Sequence, residues 1–500
     1  MRTKLSLAAF SAGLLALAAA GCTVGPDYVP PKPDAPAGWT EDKAPGLIGT
    51  GPQAAQQLDQ WWTGFKDPTL DRLVARAISD NLDLKIAEQR LIEARAQRTT
   101  AFAGFLPTLD ASGSAERQRY STNLKFPPYG GVFNTYQAGF DASWEIDVFG
   151  KIRRGVEAAD ATVQATIESR RDVLVSLLAE LGRDYSALRS AQARLVIAER
   201  NIKADQDALD LTHEKFVGGL GNELDVAQAQ AQLQTLNAAV PQLQATVATQ
   251  AHAIAVLLGK EPGALEAELT TAAPMPTIPP TLPAAVPSDV VRNRPDIRAA
   301  ERQIAGANAQ IGVAIAQMFP SFSISPSFGV GAGSLNHLLK DGALQWGAPA
   351  SISVPIFEGG RLEAGVAQAR AVTEEDRLTY RKTVLGAFQE VEDALVGYST
   401  EQRRHASLAA AVDADRIAVQ RATALYRSGL GSFLDVLDGE RSLYSAEDAV
   451  AQSDLTLTQQ TIALYKALGA GWQVGETQVA AIADRQTPAT ADRQTPATNP

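Results

Sequence analysis

Phe216-Val217-Gly218-Gly219-Leu220-Gly221-Asn222-Glu223-Leu224-Asp225-Val226 and Tyr426-Arg427-Ser428-Gly429-Leu430-Gly431-Ser432-Phe433-Leu434-Asp435-Val436 are two versions of one segment, 210 residues apart (226 to 436). The same shift carries Gly150-Lys151-Ile152 onto Gly360-Arg361-Leu362 and Leu258-Gly259 onto Leu468-Gly469. Upstream, Leu106-Pro107 falls on Phe319-Pro320 and Asn81-Leu82-Asp83-Leu84 on Arg294-Pro295-Asp296-Ile297, at a shift of 213 (107 to 320). Only the loop between these blocks changes length, so the chain reads as an internal two-fold repeat of one supersecondary unit.

On either side of each glycine-rich segment, apolar residues recur every seven positions. Ile167, Leu174, Leu181, Leu188, Leu195, Ile202, Leu209 and Phe216 form one line. In the second copy Val384, Val391, Tyr398, Val412, Val419 and Tyr426 form another, with His405 in the place of Leu195. The period resumes past the tips, as Val226, Leu233, Val240, Val247, Ile254 and as Val436, Leu443, Val450, Leu457, Leu464. A sustained seven-residue period keeps an apolar seam on one side only if the helix supercoils left-handedly. Each tip therefore joins two coiled-coil helices in a hairpin. From Gly150 to Gly218 is on the order of 100 Å of helix at about 1.5 Å per residue. No proline interrupts 129–240 or 356–487, whereas Pro241 falls inside a helical stretch and predicts a kink.

Between the helices the period changes to two. Tyr136, Ala138, Phe140, Ala142, Trp144, Ile146 and Val148 alternate with Gln137, Gly139, Asp141, Ser143, Glu145 and Asp147. Leu344, Trp346, Ala348, Ala350, Ile352, Val354 and Ile356 alternate likewise; Phe322, Ile324, Phe328 and Val330 give a third strand and the stretch from Leu109 to Ala115 a weaker fourth. Strands of this length with one apolar and one polar face fit a membrane barrel with a wet interior, although a soluble core sheet would show the same alternation. Four strands cannot close a barrel, and open edges in lipid leave backbone groups unpaired, so a membrane reading requires other copies.

The chain has 500 residues, of which 45% are hydrophobic and 20% charged, at a net charge of -11. Such a balance offers no cationic surface for phosphates, and nucleic acid is excluded as a partner. Residues 1–21 combine a basic start with an apolar run of roughly 16 residues and a small-residue end, too short for the roughly 20 residues of a spanning helix, and read as a signal peptide. Cys22 follows directly and is the single cysteine, so no intrachain disulfide or thiolate cluster can form. The expected organisation is a lipidated segment over 22–68, repeat 1 over 69–270 (β-hairpin about 108–148, tip about 217–222), a proline-rich linker over 271–287, repeat 2 over 288–472 (β-hairpin about 321–357, tip about 427–432), and a disordered tail over 473–500 in which Ala-Asp-Arg-Gln-Thr-Pro-Ala-Thr occurs twice.

Ala19-Ala20-Gly21-Cys22 resembles a bacterial lipobox, with Ala19 where leucine is usual. Cys22-Thr23-Val24-Gly25-Pro26-Asp27-Tyr28, with Trp61-Trp62, Phe65 and Asp67-Pro68-Leu70, resembles the start of the outer-membrane efflux lipoproteins of the OprM/NodT type. The duplicated hairpins and Phe433-Leu434-Asp435-Val436-Leu437-Asp438 are similar to the wider TolC-like family. The resemblance implies an α+β membrane protein: a homotrimer whose 12-stranded β-barrel, four strands per subunit, continues into a long α-helical coiled-coil barrel. It implies an outer-membrane exit duct for small molecules, docked through a periplasmic adaptor (membrane fusion protein) to an inner-membrane RND pump. A covalent lipid on Cys22 would hold it to outer-membrane lipid.

By the same resemblance Asp435 and Asp438 stand where such channels carry two aspartate rings at a closed periplasmic mouth, and being three apart they share a helix face. Ser432 and Asp435 also have capping-box spacing, repeated as Asn222 and Asp225, so Asp435 reads equally as a cap. Asp438 has Gln228 as its first-copy counterpart, and no cap requires it. Asp225 and Tyr426 match partners that tether the closed gate in relatives, though Gly431 replaces an arginine some of them use. Tyr426 could equally be a seam residue. Gly218-Gly219-Leu220 and Ser428-Gly429-Leu430 are turns that glycine permits through positive φ, and the family's matching tips meet the adaptor. Catalysis is not supported: His213, His252, His337 and His405 are scattered, without metal-ligand spacing, and neither cofactor nor metal is expected. Two other functions fit parts of the pattern, a duct for ABC-driven protein secretion and a lipid-anchored periplasmic coiled-coil scaffold without a pore.

Overall fold

The computed structural model describes residues 23–32, 35–40, 47–48, 58–121, 123, 131–283 and 287–475. The signal segment, Cys22 and the tail beyond 475 lie outside the described residues. Helices α1 (Pro68–Asp80) and α2 (Leu82–Ala103) lead into strands β1 (Thr108–Tyr120) and β2 (Gly131–Ile146), then helices α3 (Lys151–Val217) and α4 (Glu223–Leu257). The second half repeats the order with α5 (Pro295–Ala316), strands β3 (Ser321–Ile324), β4 (Ser327–Ala332), β5 (Leu344–Gly347) and β6 (Ala350–Ser353), and helices α6 (Arg361–Arg427) and α7 (Phe433–Ala467). Both long helices have 67 residues and both helices past the tips have 35, at a constant offset of 210 (151 to 361, 223 to 433). Among the described residues no helix is long and apolar enough to cross a membrane.

The chain divides into two compact units that are not the two copies: each unit takes residues from both halves. One comprises 1–32, 90–167 and 299–381, and it contains the sheet. In it β1 pairs antiparallel with β2, β2 with both β3 and β4, β3 with β6, and β4 with β5. The last two strands expected from the alternation are each split. Pro326 separates β3 from β4 and Pro349 separates β5 from β6; a ring nitrogen has no proton to give the ladder, and the flanking backbone pairs irregularly, Ser325 N–H donating to Pro349 O at 3.0 Å and Ala142 N–H to Pro326 O at 2.8 Å. Val354 and Ile356, placed in a strand by period alone, lie beyond its end.

Register aligns the apolar positions across the whole sheet. Ala111, Phe140, Phe328 and Trp346 form one row, and Ile146, Phe322 and Ile352 another. Leu109, Phe140, Phe328, Trp346 and Ile352 are all more than half exposed. The opposite face carries Ser112, Ser114, Gln137, Asp141, Ser327 and Gln345 around facing glycines. A Cβ on Gly139 would stand 2.8 Å from Phe328 O, and one on Gly329 2.6 Å from Ala138 O, so this close approach of neighbouring backbones requires glycine on both strands.

The other unit comprises 33–89, 168–298 and 382–500. Asp67 caps α1, its Oδ1 accepting from Thr69 and Leu70 N–H at 2.8 and 3.2 Å, with Pro68 at the first helical position where a missing N–H costs nothing. Leu174, Leu178, Leu181, Tyr185 and Leu188 of α3 are fully buried. Trp61 stacks on Tyr465 at 5.3 Å and lies over Gly182, where a Cβ would sit 3.0 Å from the indole. The proline-rich linker is laid on this core: Thr277 N–H donates to Phe65 O at 3.2 Å, and Leu282–Pro283 pairs in parallel with Leu47–Ile48. Ordered structure extends past 472 as a 3₁₀ turn, Trp472–Gly475, whose indole lies between the guanidinium groups of Arg171 and Arg298 at 4.4 and 5.4 Å. Helix α4 runs unbroken through Pro241.

Candidate functional site at the hairpin tips

The two tips have matching backbones. Gly219 and Gly429 take the left-handed conformation, φ 72° and 77°, and end helices α3 and α6. Gly218 does not, which is why Ser428 can occupy its place in the second copy. Leu220 and Leu430 N–H groups close the turns onto Lys215 O and Leu425 O at 2.8 and 2.9 Å, leaving their own side chains about four-fifths exposed.

Asp435 completes a capping box: its N–H donates to Ser432 Oγ at 3.3 Å while Oδ2 accepts from Ser432 N–H at 3.2 Å and from the hydroxyl at 2.8 Å. Asn222 accepts from Asp225 N–H at 2.8 Å in the first copy. Asp438 is exposed and has no hydrogen-bond or ion-pair partner among the described residues. Both aspartates begin the same helix, but only Asp435 has a structural role within the chain.

Tyr426 is buried, its ring 5.5 Å from that of Phe433, in a cluster with Ala229, Val436 and Leu437. Its hydroxyl has no hydrogen-bond partner among the described residues. Burial and then the charge of Asp225 push the phenol's pKa up, so Asp225 acts on it electrically without bonding to it. The group that grips Tyr426 is Lys215, whose Nζ donates to the Tyr426 carbonyl at 2.9 Å and lies 4.7 Å from the ring centre. Sequence reasoning passed over Lys215. Its counterpart in the second copy is Leu425, so a break in the repeat marked it.

A second polar group joins α3 and α7. Asp205 on α3 and Glu440 on α7 are both buried, and Tyr444 donates its hydroxyl to Asp205 Oδ1 at 2.9 Å, while Oδ2 is buried without a partner. Desolvation, then the charge of Asp205, raises Glu440 to about 7. Glu440, Tyr444 and Glu447 stand opposite Gln230, Gln234 and Asn237 in the repeat alignment. The seam itself is also not as the period placed it. Beyond Gln192 the buried positions of α3 are Asn201, Asp205 and Thr212, whereas Phe216 of the apolar line is 41% exposed. His405, in the leucine line, pairs through Nε2 with Asp454 at 2.8 Å. Among the described residues no group of histidine, cysteine or carboxylate side chains could hold a metal ion.

A six-stranded antiparallel sheet with an exposed apolar face and two long helical hairpins are the parts this chain has, and the chain belongs to the outer membrane efflux protein family, whose model matches residues 73–260 and 286–470. It is an outer-membrane protein that serves efflux. Nodulation protein T of Rhizobium leguminosarum bv. trifolii is 32% identical over 463 residues, 93% of this chain and 97% of that protein. The solvent efflux pump outer membrane protein SrpC of Pseudomonas putida is 32% identical over 457 residues, covering 91% and 97%. The outer-membrane channel OprN superposes with a TM-score of 0.85 at 37% identity, over 90% of this chain and 100% of that one.

Proposed function

We propose that the chain is the exit duct of a tripartite, RND-type efflux pump. Three copies join their sheets into a 12-stranded barrel, the hairpins form a tunnel across the periplasm, and a diacylglyceryl group on Cys22 holds each copy to the outer membrane. One observation carries this reading: the sheet exposes a continuous apolar face, and neither β1 nor the β5–β6 strand has a partner on its outer side among the described residues. In lipid each unpaired edge group costs several kcal/mol, and a further copy of the same edge pair is the partner that removes both edges at once. A scaffold without a pore has no use for such a face.

The tips Gly218-Gly219-Leu220 and Ser428-Gly429-Leu430 offer exposed leucines to a periplasmic adaptor, and a ring of Asp438 side chains narrows the closed mouth and favours cations. Relatives named for solvent efflux support small hydrophobic molecules as cargo, and the energy comes from the pump. Purified protein in a planar bilayer should show a small, cation-preferring conductance whose selectivity falls in Asp438→Asn. A trimeric sample with no conductance, even in tip variants, would overturn the proposal.

A further inference from the structure

Thr23 to Tyr28 lies in a built slot within the sheet-bearing unit. Arg154, 4% exposed, donates to Val24 O at 3.3 Å, Gly25 O at 3.4 Å and Asp27 Oδ1 at 2.8 Å. Asn308, also 4% exposed, donates to Pro26 O at 2.9 Å, and Tyr28 donates its hydroxyl to Glu301 Oε1 at 2.6 Å. Val24 N–H donates to Phe149 O at 3.1 Å. The fit leaves no room for side chains: a Cβ on Gly25 would stand 2.5 Å from Gly312 Cα, one on Gly312 2.7 Å from Arg154 Cγ, and one on Gly150 2.7 Å from Thr23 Cγ2.

The position of this slot is its informative feature. Thr23 touches Gly150, four residues after β2 ends at Ile146, the residue that shares the last apolar row with Phe322 and Ile352. Cys22 is one peptide step, about 3.8 Å between Cα atoms, before Thr23. A buried guanidinium and a buried amide spent on the four residues Val24 to Asp27 do more than a flexible tether would need.

We infer that the slot is a depth gauge: Arg154, Asn308 and the Gly25–Gly312 contact fix the lipid-bearing end level with the last apolar row of the sheet. The acyl chains thereby set the height at which each copy's strands enter the bilayer, so that three copies meet in register. Arg154 is a positioning residue in this scheme. The inference rests on the proposal that Cys22 is acylated.

Inserting Thr-Ser between Cys22 and Thr23 keeps a threonine after the cysteine and leaves the slot intact, while adding up to roughly 7 Å of slack. Acylation, read by intact mass, and membrane recovery should be unchanged, while SDS-resistant trimer should fall at least five-fold, as in Arg154→Ala. Combining the two changes should give no further loss. Full trimer yield from the insertion variant overturns the depth gauge, whatever Arg154→Ala does to folding. Absence of the acyl mass from the wild-type protein instead overturns the lipid anchor, and the two failures are read from different measurements.

Discussion

Lys215, the last basic residue of the first hairpin's long helix, holds Tyr426 of the second hairpin by its backbone carbonyl and by its ring at once. A hydrogen bond contributes roughly 1 kcal/mol and a cation–π contact about 0.5–1. Lys215→Met keeps the stem and removes both, so, on the proposal that the tips gate a pore, the open fraction should rise by a factor on the order of ten. Single-channel recording reads this directly, and Lys215→Arg should restore most of the closed time. Unchanged open probability in Lys215→Met would show that the hairpins are held together elsewhere.

The buried carboxylates predict that acid tightens the packing beside the tips. Glu440 titrates near 7 in the folded chain, above its ordinary value of 4.5, so the folded state binds the extra proton. The stabilisation is complete below the unfolded value and is lost as pH rises through about 7; by linkage a rise from 4.5 to about 7 is on the order of 3 kcal/mol. Asp205 faces Glu440 from α3, with Tyr444, Arg441 and Glu447 on α7 itself, Gln232 bonded to Arg441 from α4 and Arg416 paired with Glu447 from α6. Protection factors in 433–450, exchange measured relative to unstructured amides at the same pH, should fall between pH 6 and 8 in the wild type. Glu440→Gln should keep its protection factors constant across that range.

Asp435 and Asp438 should separate by readout. Ser432→Ala removes the cap and costs about 1 kcal/mol of local stability, visible as faster exchange in the first turn of α7. Asp438→Asn should leave that exchange as it was and lower cation preference instead. A variant of Asp438 that melts the helix start would assign it a structural role that its free side chain does not suggest.

Gly139→Val should block assembly rather than expression. Its side chain would collide with the neighbouring strand's backbone at Phe328, which cannot move without breaking the ladder, so SDS-resistant oligomer should be absent while the chain is still made. Phe133→Val, near the start of β2, should be tolerated.

Much of the architecture was legible because periodicity is a local property. A seven-residue apolar period, a glycine at each tip and a period of two around Phe140 suffice to place two helical hairpins and a sheet, and the two prolines that split the later strands are themselves in the sequence. Capping at Ser432 and Asp435 is equally local, since a carboxylate three residues into a helix reaches its own first turn. What the period could not say is which side of a long helix ends up covered. On α3 the leucine line is buried from Leu174 to Leu188, yet toward the tip the covered positions are Asn201, Asp205 and Thr212, and it is Tyr444 of α7 that reaches Asp205 there. The grip of Lys215 on Tyr426, the shared burial of Asp205 with Glu440 and the seating of Thr23 to Tyr28 against Arg154 join residues far apart in the chain. The sequence alone determined the elements and their repeat; burial decides which polar groups lose their water and so acquire partners or shifted protons, and only the tertiary structure sets burial.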